Sequence, residues 1–191
     1  LRHPERPTDR YDFWDGAKDE YLWYLVDKQD GPLNPENWGQ INVLLFARGC
    51  LKTWSATSIL GWGVDAFPTV EGAATAPVDD QRYEVIERFK EKVEQAGLDE
   101  RREKNKLSHQ KFSHNLIDET GDHFTSYSHV KSRSAWGEGD KLRGIHGHIG
   151  VVDESQDVDE GTFSTFATEA IDREVPNVDY FPAVFVIGTP K

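Results

Sequence analysis

The amino-acid sequence predicts an α/β protein with a mainly parallel sheet and helices on both of its faces. Three short apolar runs are typical of buried strands, and each ends in polar residues: 41–47, 148–154 and 183–190. Amphipathic helical patterns over 79–95 and 162–173 alternate with these runs. Strands that alternate with helices pair in parallel through right-handed crossovers. Open sheets of this kind bind ligands beyond the carboxyl ends of their strands, so the polar residues are expected to share one site.

The residues before the first of these strands predict three further elements. Residues 1–16 are polar and contain two prolines, which predicts an extended arm. Residues 17–28 can form a helix with an apolar face. The stretch 31–35 breaks that helix, and Pro35 suits the first turn of a short helix capped by Asn34.

The middle of the chain adds a second kind of strand pattern. Gly97 predicts the end of the helix over 79–95. The stretch 98–110 is charged and predicts a loop. Two runs of strand composition follow, 111–117 and 123–130, and the residues between them are typical of a turn.

The most informative polar residues are Asp153 and Glu154, which end the second buried run. Nucleotide hydrolysis needs such a pair, because the aspartate can hold Mg²⁺ through water while the next carboxylate polarises the attacking water. Apolar runs also end in acids by chance, so the pair needs a partner elsewhere in the chain.

That partner lies 101 residues upstream (153 minus 52), where an apolar run passes through Arg-Gly-x-x-Lys-Thr into a helical stretch over 54–60. A strand, a loop and a helix N-terminus in this order form a phosphate cradle of backbone N–H groups. Lys52 would then reach the β- and γ-phosphates, and Thr53 would ligate the metal.

The match to the standard phosphate loop is imperfect. Its two glycines would fall at positions where this chain has Phe46 and Leu51. An ordinary strand-to-helix turn that carries a surface lysine is therefore the alternative for this segment. The third buried run adds support, since it ends in the small, hydroxyl-bearing turn Gly188-Thr189-Pro190.

These motifs resemble the ATPase domain of the large terminase subunit, the DNA-packaging motor of tailed phages and related archaeal viruses. Residues 48–53 are similar to the variant phosphate loop of that family, 151–154 to its Walker B segment and 188–190 to its coupling motif. Residues 74–77, followed by Gln81, resemble the segment after its second strand. The resemblance covers about residues 40 to 190 and departs from the family at Leu51, where members often keep glycine.

The resemblance implies a P-loop NTPase fold of the ASCE or RecA-like type, with ATP and Mg²⁺ as cofactors. The loop residues that would contact ATP are Arg48, Gly49, Cys50, Leu51, Lys52 and Thr53. Thr53 and Asp153 would hold Mg²⁺, and Glu154 would position the attacking water. Arg48 would reach the γ-phosphate within the same chain. Gly188 and Thr189 would contact the nucleotide, and Thr189 would sense the loss of the γ-phosphate.

Arg143 and the adenine pocket leave alternatives open. The resemblance implies that Arg143 acts as a finger on the nucleotide of a neighbouring subunit, and the alternative is a surface arginine paired with Glu138 or Asp140. Gln29 has better spacing than Gln40 for contacting the adenine edge. Trp38 could stack on the ring or belong to the core.

The family relation also implies partners and a cell compartment. We expect one ATPase domain over 1–191, with the nuclease domain of the parent protein absent from this sequence. The implied partners are viral double-stranded DNA, the portal protein, the small terminase subunit and further copies in a ring, with no membrane, in the host cytoplasm. The formal charge of −12, from 34 acids against 22 lysines and arginines, opposes tight DNA binding unless the cations are localised.

Two other groups of residues leave competing interpretations open. Residues 101–106 form a dense basic cluster, either a DNA contact or a solvated loop. Six histidines within 40 residues could ligate zinc, although their spacing matches no established motif: His109, His114, His123, His129, His146 and His148.

Two alternatives compete with the packaging ATPase: a helicase-like ATPase of superfamily 2 and a degenerate nucleotide-binding scaffold. The lone Cys50 excludes an intramolecular disulfide.

Overall fold

The computed structural model of the chain describes residues 2–3, 6–10, 41–47, 52–135, 147–170 and 183–189. The strands are β1 (Arg2–His3), β2 (Arg6–Arg10), β3 (Ile41–Leu45), β4 (Glu71–Ala76), β5 (Arg102–Lys106), β6 (His109–Ile117), β7 (His123–Ser134), β8 (Ile149–Val152) and β9 (Ala183–Gly188). The helices are α1 (Lys52–Ala66), α2 (Asp79–Gln95) and α3 (Glu160–Ala170), with short 3₁₀ turns at Asp99–Arg101 and Ser155–Asp157.

Within these residues, seven strands form one sheet in the order β3-β9-β8-β4-β7-β6-β5. The first five strands in this order, β3, β9, β8, β4 and β7, pair with one another in parallel. Strand β6 then pairs with β7, and β5 with β6, in antiparallel fashion. The predicted mainly parallel sheet is therefore confirmed. The predicted strands at 111–117 and 123–130 are also confirmed as β6 and β7, each longer than predicted.

The charged stretch 98–110 is not a loop, so that prediction is wrong. It contains a 3₁₀ turn, strand β5 and the start of β6. Charged side chains suit β5 because it is the edge strand, where they remain solvated and discourage pairing with another chain. Arg102 also pairs with Glu94 of α2 at 3.0 Å, which accounts for one cation of the basic cluster.

Helices cover both faces of the parallel strands, as predicted. In β8, Val151 packs in the core beneath α1 and α2, while Val152 packs with Phe166 of α3 on the opposite face. This alternation follows from the two-residue period of a strand. A strand buried on both faces reads as a continuous apolar run, which is why 148–152 was recognisable in the sequence.

Three helix boundaries have local causes. Helix α2 spans the predicted residues, and Gly97 follows its C-cap with a φ of 71°, which suits a residue without a side chain. Helix α1 extends beyond the predicted 54–60 at both ends. Helix α3 begins before the predicted Thr162, because an Asp159 side-chain oxygen accepts the Thr162 N–H at 2.9 Å and caps its first turn.

The N-terminal predictions are only partly within the described residues. Strands β1 and β2 pair in antiparallel fashion inside the stretch predicted as an extended arm. The predicted helix over 17–28 and the predicted helix start at Asn34 and Pro35 lie outside the described residues, as does the end of the helix over 162–173. No helix in the described part of the chain is long and apolar enough to cross a membrane.

Two glycines of α1 predict opposite effects of the same substitution. Gly61→Ala should raise the free energy of unfolding by about 0.5–1 kcal/mol, because a Cβ there meets nothing within 4 Å and alanine favours helix. Gly63→Ala should be less stable than Gly61→Ala by at least about 1 kcal/mol, because its Cβ would overlap the buried Ile149 side chain. Urea unfolding of both variants measures the difference, and equal stabilities would contradict this account of how α1 packs on β8.

Candidate functional site

The site is built where strand β8 ends and helix α1 begins. The four residues of β8 are fully buried, and the chain then delivers Asp153 and Glu154 to the carboxyl edge of the sheet. The Asp153 N–H donates to the Thr75 carbonyl of β4 at 3.0 Å, which continues the ladder one residue past the strand. Lys52 is the first residue of α1, and its side chain crosses to the two acids.

Lys52 makes the central contact of this site. Its Nζ lies 3.7 Å from Asp153 Oδ1 and forms a closer ion pair with Glu154 Oε1. Only 12% of the Lys52 side chain is exposed to solvent. One shielded cation thus faces two carboxyl groups, an arrangement that can exchange carboxylate oxygens for phosphate oxygens.

Thr53 and Asp153 form a pair of oxygen ligands suited to a hard cation. The Thr53 hydroxyl donates to Asp153 Oδ2 at 2.9 Å. Adjacent ligands of an octahedral Mg²⁺ at about 2.1 Å are themselves roughly 3 Å apart. The donor chemistry and the spacing therefore fit Mg²⁺, and the assignment of Thr53 and Asp153 as its ligands stays a prediction.

The two carboxyl groups differ in acidity although they are neighbours. Burial raises the pKa of Asp153, against the opposing effects of Lys52 and the Thr53 hydroxyl. Burial also acts to raise the pKa of Glu154, but hydrogen bonds from Lys52 and Gln156 outweigh it and lower that pKa overall. Glu154 is therefore held as a carboxylate by its partners.

The backbone of Glu154 is itself unusual. Its φ and ψ of 49° and 42° lie in the left-handed region, and no other described residue except glycine has a positive φ. Such a conformation costs on the order of 1 kcal/mol or more in a residue with a side chain. It turns the chain sharply after β8, so that Asp153 and Glu154 both face Lys52.

Gln156 connects this acid to the end of β9, and the sequence did not identify it. Its amide nitrogen donates to Glu154 Oε2 at 2.5 Å, and its amide oxygen accepts the Thr189 N–H at 3.2 Å. A Cβ at Gly188 would lie 2.9 Å from that same oxygen and 2.7 Å from Ser155 Oγ, so a residue larger than glycine would collide there. The side chain of Gln156 therefore links the predicted coupling residues, Gly188 and Thr189, to Glu154 of the acidic pair.

Several residues named from the sequence lie outside the described residues. They are Gln29, Trp38, Gln40, Arg48, Gly49, Cys50, Leu51 and Arg143. Lys52, Thr53, Asp153 and Glu154 are brought together, while Gly188 and Thr189 lie beside them across Gln156.

The histidines do not form a metal centre within the described residues. His109 Nε2 and His129 Nδ1 are 3.0 Å apart on neighbouring strands. No group of three histidine, cysteine or acidic residues in that part of the chain is placed to hold a metal ion. His146 lies outside it.

The pKa of Asp153 is raised and that of Asp159 is lowered, so replacing each by asparagine should change the free energy of unfolding at pH 7 in opposite directions. The unfolded chain ionises Asp153 at lower pH than the folded chain, so the folded state loses stability as pH rises from the ordinary carboxyl pKa to the raised one. Asp153→Asn should therefore raise the free energy of unfolding at pH 7, and the gain should vanish in acid, where the carboxyl is protonated in both states. Urea unfolding at pH 7 and at a pH below the ordinary carboxyl pKa, both without nucleotide, measures this change in the free energy of unfolding.

Asp159→Asn is the matched control. Hydrogen bonds from Thr162 lower the pKa of Asp159, so its contribution is present above the ordinary carboxyl pKa and lost as pH falls through the lowered one. This substitution should lower stability slightly at pH 7. A destabilising effect of both substitutions at pH 7 would show that Asp153 is not under strain from burial.

Comparisons with known proteins place the fold. A scan against protein-family models finds no match, and a search of curated proteins finds none either. Among solved structures, the large terminase ATPase domain of Thermus phage P74-26 matches at 20% identity and a TM-score of 0.58, over 80% of this chain and 60% of that one. The large terminase of bacteriophage HK97 matches at 17% identity and 0.61, over 95% and 34%.

A third match is the large terminase of a thermophilic bacteriophage in complex with ADP, at 14% identity and a TM-score of 0.56, over 88% of this chain and 37% of that one. The chain therefore spans between about a third and three-fifths of these structures. Likeness at such low identity concerns the fold. This chain has the P-loop NTPase fold of large terminase ATPase domains, as the sequence motifs predicted.

Proposed function

We propose that this chain is the ATP-hydrolysing part of a motor that packages viral double-stranded DNA into a procapsid. The observation that carries the proposal is the meeting of Lys52 and Thr53, at the start of α1, with Asp153 and Glu154, at the end of β8. These are the residue types and the positions that phosphoryl transfer needs. The fold shared with large terminase ATPase domains supports the same class of reaction.

Each residue of the site has a distinct role in this proposal. Lys52 leaves Glu154 and neutralises the β- and γ-phosphates of ATP. Thr53 and Asp153 would hold Mg²⁺, which would supply further positive charge at the site. Glu154, released from Lys52, orients the attacking water and accepts its proton. After Lys52 has left, the hydrogen bond from Gln156 still favours the carboxylate form that Glu154 needs.

The contact through Gln156 supports a coupling role for the end of β9. A change at Glu154 alters the hydrogen bond from the Gln156 amide, and the same amide binds the Thr189 N–H. We infer that Gly188 and Thr189 sense the γ-phosphate by this route.

The remaining residue roles are proposed from the family resemblance alone. Arg48 would contact the γ-phosphate within the chain, Gly49, Cys50 and Leu51 would complete the phosphate loop, and Gln29 with Trp38 would hold the adenine. Arg143 would act on the nucleotide of a neighbouring subunit.

The resemblance also supplies the proposed partners and setting. We propose that the chain works within a ring of identical subunits in the host cytoplasm, together with viral DNA, the portal protein and the small terminase subunit. The nuclease step would belong to a separate domain. Because the chain carries a net charge of −12, its DNA contacts would need local groups of cations.

Substitutions of Glu154 and Lys52 separate hydrolysis from binding. Glu154→Gln should retain ATP affinity and reduce turnover by on the order of 10²-fold or more, because the phosphate and metal contacts remain while the water loses its base. Lys52→Ala should instead weaken ATP binding. Phosphate-release assays and titration with a fluorescent ATP analogue measure the two effects.

The outcomes of these assays also decide whether Glu154 and Lys52 have the proposed roles and whether the chain is a nucleotide-binding scaffold instead. Glu154→Gln turnover within threefold of the unsubstituted chain would remove Glu154 from the reaction. Unchanged affinity in Lys52→Ala would remove Lys52 from the phosphate site. ATP binding without turnover in the unsubstituted chain, even as an assembled ring, would favour the nucleotide-binding scaffold.

Substitutions of Gln156 test the coupling route. Gln156→Ala should lower turnover by about 10-fold to 100-fold, the cost of a misplaced catalytic group, and leave ATP affinity unchanged. Gln156→Glu keeps an acceptor for the Thr189 N–H but places a second carboxylate beside Glu154. The pH profile of turnover should then shift to higher pH, because the pKa of Glu154 rises. Turnover and pH profile unchanged in both variants would show that Gln156 has no part in positioning Glu154.

A further inference from the structure

A cavity of about 450 Å³ lies between helices α1 and α2, apart from the acidic pair. Trp54, Trp62 and Gly61 of α1 line it, together with Lys92 of α2. Two indole rings make its wall largely apolar, and Asp65 is the acidic residue in the lining. A cavity of this size is within the range that small ligands occupy.

The amine of Lys92 is the reactive group in the lining. Its Nζ lies 3.6 Å from the centre of the Trp54 ring and donates to Ser58 Oγ at 2.7 Å. The Ser58 hydroxyl in turn donates to the Trp54 carbonyl at 2.8 Å, so the lone pairs of Ser58 Oγ remain available to accept from the amine. The nitrogen is thus held in a fixed place beside an aromatic wall.

Burial favours the uncharged form of this amine, whereas the face of the Trp54 ring favours the charged form. Burial lowers the pKa of Lys92 to about 6, and the nearby Glu91 opposes this to a smaller extent. The Asp65 carboxylate, on the facing helix, is engaged by Arg101. At pH 7 an amine with a pKa near 6 is about 90% neutral, against about 0.04% for a lysine with the ordinary pKa of about 10.4. Only the neutral form has the lone pair that attacks an electrophile.

We propose that Lys92 is a covalent binding site for a small, uncharged aromatic aldehyde that occupies this cavity. The nitrogen lone pair forms a bond to the carbonyl carbon, and one amine proton passes to the oxygen. The second amine proton also passes to this oxygen, which departs as water, and a C=N bond remains. No oxidant or reductant takes part. The tryptophan rings select an aromatic body, and a neutral amine offers no charge to hold a phosphate or carboxylate.

The reaction of salicylaldehyde with the intact protein tests this proposal. After trapping with cyanoborohydride at pH 7, peptide mass spectrometry should find Lys92 labelled at least about tenfold faster than Lys106, an exposed lysine of β5. The rate at Lys92 should reach half of its maximum near pH 6 and then level off. Labelling of Lys92 no faster than that of Lys106, or a rate that still rises steeply above pH 8, would overturn the proposal.

Two variants separate the cavity from the amine. Gly61→Leu should slow labelling of Lys92 at least about tenfold and leave that of Lys106 unchanged, because position 61 lines the cavity and has open space around its Cβ. Lys92→Arg should abolish the adduct at this site. Labelling of Lys92 at the unsubstituted rate in a folded Gly61→Leu protein would exclude the cavity as the binding site. None of these readouts depends on ATP hydrolysis, so the proposal stands or fails separately from the proposed function.

Discussion

The contact of Lys52 with Asp153 and Glu154 is the interaction on which the rest of the site depends. It joins the first residue of helix α1 to the end of strand β8, two segments that lie far apart in the chain. The cation is shielded from water, so its attraction to the acids is stronger than that of an exposed pair. Among the described residues, this contact sets one cation against two carboxyl groups, and a divalent metal can balance the second of them.

The shape of the chain after β8 makes this contact possible. Glu154 adopts a left-handed backbone conformation, which costs free energy and turns its side chain towards Lys52. Gln156 then holds the far oxygen of Glu154 and the backbone of Thr189 at once. Because Gly188 has no side chain, the glutamine can lie against the end of β9. In addition to the pairing of β8 with β9, the Gln156 side chain consequently connects Glu154 to the end of β9.

The sequence predicted those parts of the fold that follow from periodicity and burial. A strand buried on both faces is a continuous apolar run, so β8 and β9 were recognisable and placed their terminal polar residues at one edge. Edge strand β5 was missed because its charged residues resemble a loop when pairing with β6 is unknown. Gln156 was also missed, since its role depends on distances between strands that no local pattern records.

When ATP binds, we expect Lys52 to exchange the carboxylates of Asp153 and Glu154 for the phosphates of ATP. A crystal structure of the chain with Mg²⁺ and ATPγS tests this exchange. Lys52 Nζ should have left Glu154 and should lie within about 3 Å of β- and γ-phosphate oxygens, with the metal beside Thr53 and Asp153. A bound nucleotide in a structure that retains the Lys52–Glu154 ion pair, with no phosphate contact from Lys52, would contradict it.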